Sequence, residues 1–223
     1  MKTVNVTING VQVSGRPGMT ILELAREHNI DIPTLCYRPE LPISGSCRLC
    51  VVEVEGSRTL VGSCHTPINE GMVIQTHSPK VLAVRRQIVE LLLASHAGNC
   101  YLCDKANICE FRQIAADLDV GIPRFTARKR FYQLEDLSPS ITRDLTKCIL
   151  CRRCIRVCEG QKKLFSMGYR AFDSKVIYGL DQPIEADVCK DCDACIQVCP
   201  TGALSKGRTL GVEKGGCPLI IRG

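Results

Sequence analysis

Cys148-Ile149-Leu150-Cys151-Arg152-Arg153-Cys154-Ile155-Arg156-Val157-Cys158 and Cys189-Lys190-Asp191-Cys192-Asp193-Ala194-Cys195-Ile196-Gln197-Val198-Cys199-Pro200 share one spacing, C-x2-C-x2-C-x3-C. The second run begins 41 residues after the first, counted from Cys148 to Cys189, so the two form an internal repeat. Accidental recurrence of so specific a pattern is implausible, and it decides how the rest of the chain is read.

The spacing is that of bacterial two-cluster ferredoxins, in which the fourth cysteine of each run ligates the other run's [4Fe–4S] cluster. Cys148, Cys151 and Cys154 are therefore expected to share a cluster with Cys199, and Cys189, Cys192 and Cys195 one with Cys158. One departure is mild: the first run ends Cys158-Glu159, where the second ends Cys199-Pro200. The gap from Glu159 to Val188 implies inserted turns or strands between the halves.

Upstream lies a second group, His96, Cys100, Cys103 and Cys109, spaced H-x3-C-x2-C-x5-C. A histidine near a helix end is usually a surface or capping residue. Here it precedes a cysteine triplet that lacks a fourth ligand, so His96 completes a [4Fe–4S] set economically. A neutral imidazole leaves the cluster one charge less negative than a fourth thiolate would, which eases reduction. His65 and His77 have no such company and read as ordinary surface residues.

Nearest the N-terminus, Cys36, Cys47, Cys50 and Cys64 follow C-x10-C-x2-C-x13-C, with glycine in the flank Ile43-Ser44-Gly45-Ser46. Glycine lets a compact loop turn several N–H groups towards cluster sulfurs. Plant-type [2Fe–2S] ferredoxins use a related loop. A structural zinc site would also accept four thiolates.

These groups use fifteen of the sixteen cysteines; Cys217 is left over and reads as a free thiol in a tail, with an interface role as the alternative. Such a cysteine count fits either a secreted disulfide scaffold or a metal protein. Met1-Lys2-Thr3-Val4-Asn5-Val6 alternates like a strand and lacks the features of a signal peptide. The longest apolar run, Ile88 to Ala94, is broken by Glu90 and is far too short to span a membrane. A cytoplasmic location, with thiols kept reduced and available to metal, follows as the expectation.

The formal charge of +6 misleads if the thiols bind iron. Oxidised four-thiolate clusters carry −2 each and a His-ligated one −1, which brings the total to about −1. The basic balance is thus no signal for nucleic acid, and Arg128-Lys129-Arg130 reads as a solvated stretch or docking patch. With aromatics at 4% and no Trp among 223 residues, several small metal-braced domains are expected rather than one large core.

Val4, Val6 and Ile8, then Asn9-Gly10, then Val11 and Val13 predict a hairpin. Thr20 with Glu23 is a capping box, opening a helix to about His28. Val51 to Val54, Leu60-Val61 and Met72 to Ile74 read as strands, giving a small mixed β fold that ends near His77. Pro79 opens a helix through Leu93, a shorter helix covers Glu110 to Leu118, and Pro123 to Leu137 looks irregular.

Several stretches then carry a wider resemblance: Pro33-Thr34-Leu35-Cys36-Tyr37, Cys47-Arg48-Leu49-Cys50, Cys148-Ile149-Leu150-Cys151-Arg152-Arg153-Cys154 and Cys199-Pro200-Thr201-Gly202-Ala203-Leu204. Over roughly residues 1 to 205 the chain resembles the N-terminal part of the large iron–sulfur subunit of respiratory complex I. It is equally similar to the N-terminal region of multi-cluster [FeFe] hydrogenases, and to the diaphorase small subunit of NAD-linked hydrogenases and electron-input segments of NAD-linked formate dehydrogenases. The resemblance implies an α+β chain of three parts. They are a β-grasp [2Fe–2S] ferredoxin domain (1–78), a small helical domain with a His-ligated [4Fe–4S] cluster (79–137) and a two-[4Fe–4S] ferredoxin-like domain with a tail (138–223).

The function so implied is that of an electron-transfer subunit. It would relay single electrons between a flavin-containing, NAD(P)H-oxidising subunit and a catalytic partner such as a hydrogenase or formate dehydrogenase. No Gly-x-Gly-x-x-Gly after a strand, no P-loop and no catalytic triad is legible, so no catalytic site of its own is expected. The 223 residues leave no room for a hydrogenase or molybdopterin domain, and a separate subunit without membrane insertion is the expectation. A stand-alone multi-cluster ferredoxin shuttle and a zinc-structured interaction protein are the competing readings; co-purifying chains exclude the first, and acid-labile sulfide the second.

Overall fold

A computed structural model of the chain describes residues 3–96, 100–126, 132, 135–136, 141–182, 189 and 192–206. Arg128-Lys129-Arg130 and Cys217 lie outside them.

The first region is a five-stranded sheet in the order β2-β1-β5-β3-β4. Strands β1 (Val4–Ile8) and β2 (Val11–Gly15) form the hairpin, with Asn9 and Gly10 both at positive φ, as a tight two-residue turn demands. Strand β5 (Val73–Gln75) runs parallel to β1 and antiparallel to β3 (Val51–Val54), whose other edge carries β4 (Val61–Gly62). Helix α1 (Ile21–Glu27) starts at Thr20: its side chain accepts from Glu23 N–H, and the Glu23 carboxylate accepts from Thr20 N–H. The helix lays Ile21, Leu22, Leu24 and Ala25 against Val6, Ile8, Val13, Val52, Val54 and Ile74. This is a β-grasp arrangement, and its core is almost wholly aliphatic.

Helix α2 (Pro79–Ser95) begins at Ser78, whose hydroxyl accepts from Val81 N–H, and runs two residues beyond the expected Leu93. Helix α3 (Glu110–Asp117) follows the second cysteine group. Their common core joins Val89, Phe111, Ala115, Leu118 and Val120 to Leu35 and Leu49. Leu35 and Leu49 belong to the first region's cysteine loop, so the helical region shares its core with that loop. Both Glu90 carboxylate oxygens accept from Arg124, at 2.9–3.0 Å, which holds the chain after α3 against α2.

In the third region β7 (Ile141–Arg143) is flanked by β6 (Glu135–Asp136) and β10 (Leu204–Lys206). The short β6 falls inside the stretch whose sequence looks irregular; its two residues carry no period for a pattern to reveal. Helices α4 (Arg153–Glu159) and α5 (Ala194–Gln197) fall in the second half of the two cysteine runs, α4 carrying Cys154 and Cys158 and α5 Cys195, and they pack together. The gap between the runs holds the hairpin of β8 (Phe165–Gly168) and β9 (Lys175–Tyr178). Cys189 and Cys195 are themselves core residues here, with Cys148, Cys154, Cys158 and Cys199 packed against that core.

Candidate iron–sulfur sites

In the first site Ser63, directly after β4, donates its N–H and its hydroxyl to Cys50 O (3.1 and 2.8 Å) and holds the end of the cysteine loop in place. Cys36 and Cys47 lie within hydrogen-bonding reach of each other, as do Cys50 and Cys64. The Cys47 S–H donates to Cys36 and draws its pKa down to about 5; Cys64 does the same for Cys50, to about 6. The donating partners, Cys47 and Cys64, are pushed up, first by that bond and then by burial. Backbone N–H groups of Ser46 and Cys47 serve Cys36, and those of Leu35 and Leu49 serve Cys47. Arg48, between Cys47 and Cys50, takes a left-handed conformation (φ 58°), which turns the loop sharply.

His65 is exposed, as the sequence suggests, yet it is not remote from this loop. Its Nδ1 stands 3.5 Å from Cys64 Sγ, and its ring rests over Gly45 and Gly62, where a side-chain carbon would lie 3.5 Å and 2.4 Å from it. Sequence reasoning passes over it because only the fold brings Gly45 to Gly62. His77 stays outside the site; its Nδ1 lies 2.6 Å from Thr76 Oγ1.

In the second site His96 is the C-cap of α2 and Cys109 the N-cap of α3. His96, Cys100 and Cys109 line one cavity of about 370 Å³ with Leu93, Phe111 and Val120. The His96 ring meets Phe111 edge to face at 5.6 Å, and Nδ1 is fully buried. Cys103 leans the other way, towards Gly202 of the third region. Arg112 N–H donates to Cys109 Sγ at 3.4 Å.

In the third region Cys148, Cys151, Cys154 and Cys199 line one cavity, and Cys158, Cys189, Cys192 and Cys195 line another. Leu150 and Arg152 adopt left-handed conformations between the cysteines of the first run and fold its backbone around the sulfurs. Leu150 N–H donates to Cys148 Sγ (3.4 Å) and Leu164 N–H to Cys158 Sγ (3.2 Å). Burial raises the Cys151 and Cys195 thiols to about 12 and pushes Cys154 well above the usual thiol value. Thiolates here need a compensating charge, which bound iron supplies.

These donor sets fit iron–sulfur clusters. Sulfurs dominate them, backbone N–H groups aim at those sulfurs, and buried cations stand beside them. Arg85 and Arg153 are each 1% exposed, and their Nε atoms have no hydrogen-bond partner among the described residues. The contact that orients Arg85 is its NH2 donating to Val51 O at 2.8 Å, one residue from Cys50.

Three family models match the chain in the same order. Residues 1–79 match a 2Fe-2S iron-sulfur cluster binding domain, residues 85–124 the NADH-ubiquinone oxidoreductase-G iron-sulfur binding region, and residues 147–203 a 4Fe-4S dicluster domain. The chain carries iron–sulfur cluster binding domains along most of its length. It is 39% identical over 211 residues to NADP-reducing hydrogenase subunit HndD of Solidesulfovibrio fructosivorans, a match covering 92% of this chain and 36% of HndD. It is 32% identical over 205 residues to the NADH-ubiquinone oxidoreductase 75 kDa subunit of Reclinomonas americana, covering 91% of this chain and 29% of that protein. The chain thus spans about a third of the length of these relatives. Among solved structures it matches a chain of an NAD+-reducing [NiFe]-hydrogenase in the H2-reduced state, with TM-score 0.84 and 28% identity over 92% of this iron–sulfur protein and 88% of that chain. No helix among its described residues is long and apolar enough to cross a membrane.

The residues that sequence reasoning missed are the buried arginines Arg85, Arg143, Arg153 and Arg156, together with Lys105 and Gly202. Pattern alone assigns lysine and arginine to solvent. The one available signal was position: Arg153 stands between Cys151 and Cys154 inside a ligand run.

Proposed function

We propose that the chain relays single electrons between a flavin-containing, NAD(P)H-oxidising subunit and a catalytic partner such as a hydrogenase or formate dehydrogenase. Cys36, Cys47, Cys50 and Cys64 would hold a [2Fe–2S] cluster. His96, Cys100, Cys103 and Cys109 would hold one [4Fe–4S] cluster, Cys148, Cys151, Cys154 and Cys199 a second, and Cys189, Cys192, Cys195 and Cys158 a third. When bound, these groups accept and release one electron at a time, so they would carry off singly the electron pair that the partner's flavin takes up as a hydride.

The observation that carries this reading is the way all four donor sets join in one packed body. Ser46 Oγ donates to Cys151 O at 3.3 Å, which ties the first site to the third region. Lys105 Nζ donates to the Ile196 and Cys199 carbonyls (2.8 and 3.4 Å), and Cys109 Sγ lies 3.5 Å from Pro200 O. The protein's own part is to bury the ligands, supply N–H donors to their sulfurs and keep solvent out, and these set each potential.

Anaerobic purification from the native host tests the proposal. The expected result is a brown protein with about fourteen iron atoms and matching acid-labile sulfide per chain, the content of one [2Fe–2S] and three [4Fe–4S] clusters. A flavoprotein and a catalytic chain should co-purify. A colourless protein without sulfide refutes the reading, and a loaded chain that isolates alone refutes the relay between partners.

A further inference from the structure

Arg153 opens α4 and is 1% exposed, among the most buried side chains of the molecule. Its guanidinium reaches all three regions. NH2 donates to Tyr37 O at 3.2 Å in the first. NH1 donates to Glu110 Oε1 at 2.8 Å in the second and approaches Val198 O at 3.4 Å in the third. Each partner is the chain neighbour of a proposed ligand: Tyr37 follows Cys36, Glu110 follows Cys109, Val198 precedes Cys199, and Arg153 itself precedes Cys154. One rigid fork therefore touches a residue beside a proposed ligand of three different clusters, through two backbone carbonyls and one carboxylate. One turn further along α4, Arg156 repeats part of the arrangement, donating to the Cys36 and Pro42 carbonyls.

The geometry points to Arg153 as the positioning residue that fixes the [2Fe–2S], His-ligated and Cys199-ligated clusters relative to one another, and with them the rate of electron passage inside the chain. The inference rests on the proposed ligand sets. A hop oxidises one centre by one electron and reduces its neighbour by the same electron, with no bond made or broken. Its rate depends steeply on separation, so a joint that holds three ligand-bearing loops together controls it. Planar guanidinium suits the task because its five donors leave in fixed directions; a lysine ammonium is a single point on a flexible stem. Burial raises the stakes, since losing the cation leaves the carbonyls of buried Tyr37 and Val198 without this donor. Glu110, with a side chain 40% exposed, is the only charged one among the three.

The test uses the full, anaerobically loaded chain and three variants: Arg153→Lys, Arg153→Met and Glu110→Gln. Iron and sulfide content are measured first, then magnetic interaction between reduced clusters by EPR, then intramolecular electron equilibration after pulsed reduction. The expected result is a full set of cluster signals with weakened spin–spin interaction and equilibration slowed several-fold, most in Arg153→Met and least in Glu110→Gln. Clusters fully loaded, with interaction and equilibration as in the unaltered protein, overturn the inference. If Arg153→Met does not load, Arg153→Lys and Glu110→Gln decide by the same criteria, and wild-type behaviour in both overturns it. An unaltered chain without iron or sulfide overturns instead the cluster reading on which the inference rests.

Discussion

Cys103 Sγ occupies the space in front of Gly202: a side-chain carbon built on Gly202 would lie 2.6 Å from that sulfur and 3.3 Å from Lys147 Cδ. The two residues belong to different regions and are brought together only when the second cysteine group docks on the Cys199-Pro200-Thr201-Gly202 turn. Gly202 has no positive φ, so its requirement is steric rather than conformational.

Gly202→Ala is therefore expected to displace Cys103 or the turn, at a cost of about 1–3 kcal/mol for overpacking. Iron and sulfide should fall by the content of one [4Fe–4S] cluster, with the other signals kept. Metal analysis with thermal unfolding checks this; wild-type content and stability would show that the turn yields freely.

His96→Cys would replace the proposed neutral ligand by an anionic one. The cluster should be retained, one charge more negative, with its reduction potential lowered. Redox titration followed by EPR reads the shift, and an unchanged potential and line shape would remove His96 from the ligand set.

Cys158→Ala separates crossed from uncrossed ligation. Cys158 lines the cavity of Cys189, Cys192 and Cys195, not that of its own run. Damage should fall on the cluster of the second run. Loss of the cluster at Cys148, Cys151 and Cys154 instead would reverse the assignment.

Removing iron with a chelator under reducing conditions should unfold the molecule unevenly. The first region keeps a sheet and helix packed through aliphatic side chains, whereas the core of the third contains Cys189 and Cys195 with four further cysteines against it. Free of metal, those buried thiols pack poorly and the region lacks enough apolar area to compensate. Amide exchange should show residues 141–206 losing protection while 4–75 retain it; equal loss in both would mean that the first region also needs its metal.

Much of the secondary structure is readable from local pattern. The Asn9-Gly10 hairpin and the Thr20–Glu23 capping box depend on residues a few positions apart, and both appear where the spacing puts them. The parallel pairing of β1 with β5 is not readable, because it joins Thr7 to Val73 and nothing local marks the partner. Nor is the shared core of α2, α3 and the cysteine loop, since an apolar stripe states that it will be buried but not against what.

By itself the sequence determined the candidate donors, their grouping along the chain and the repeat that relates two runs, because residue spacing is a property of covalent neighbours. Only the tertiary structure decided which cations are buried beside those donors and which loops meet. An arginine on the surface and one at a three-way junction are the same letter; Arg153 differs from Arg152 in surroundings alone, 1% exposed against open to solvent. Burial and long-range contact follow from how separate elements pack, and for Tyr37, Glu110 and Val198 that packing converges on a single guanidinium.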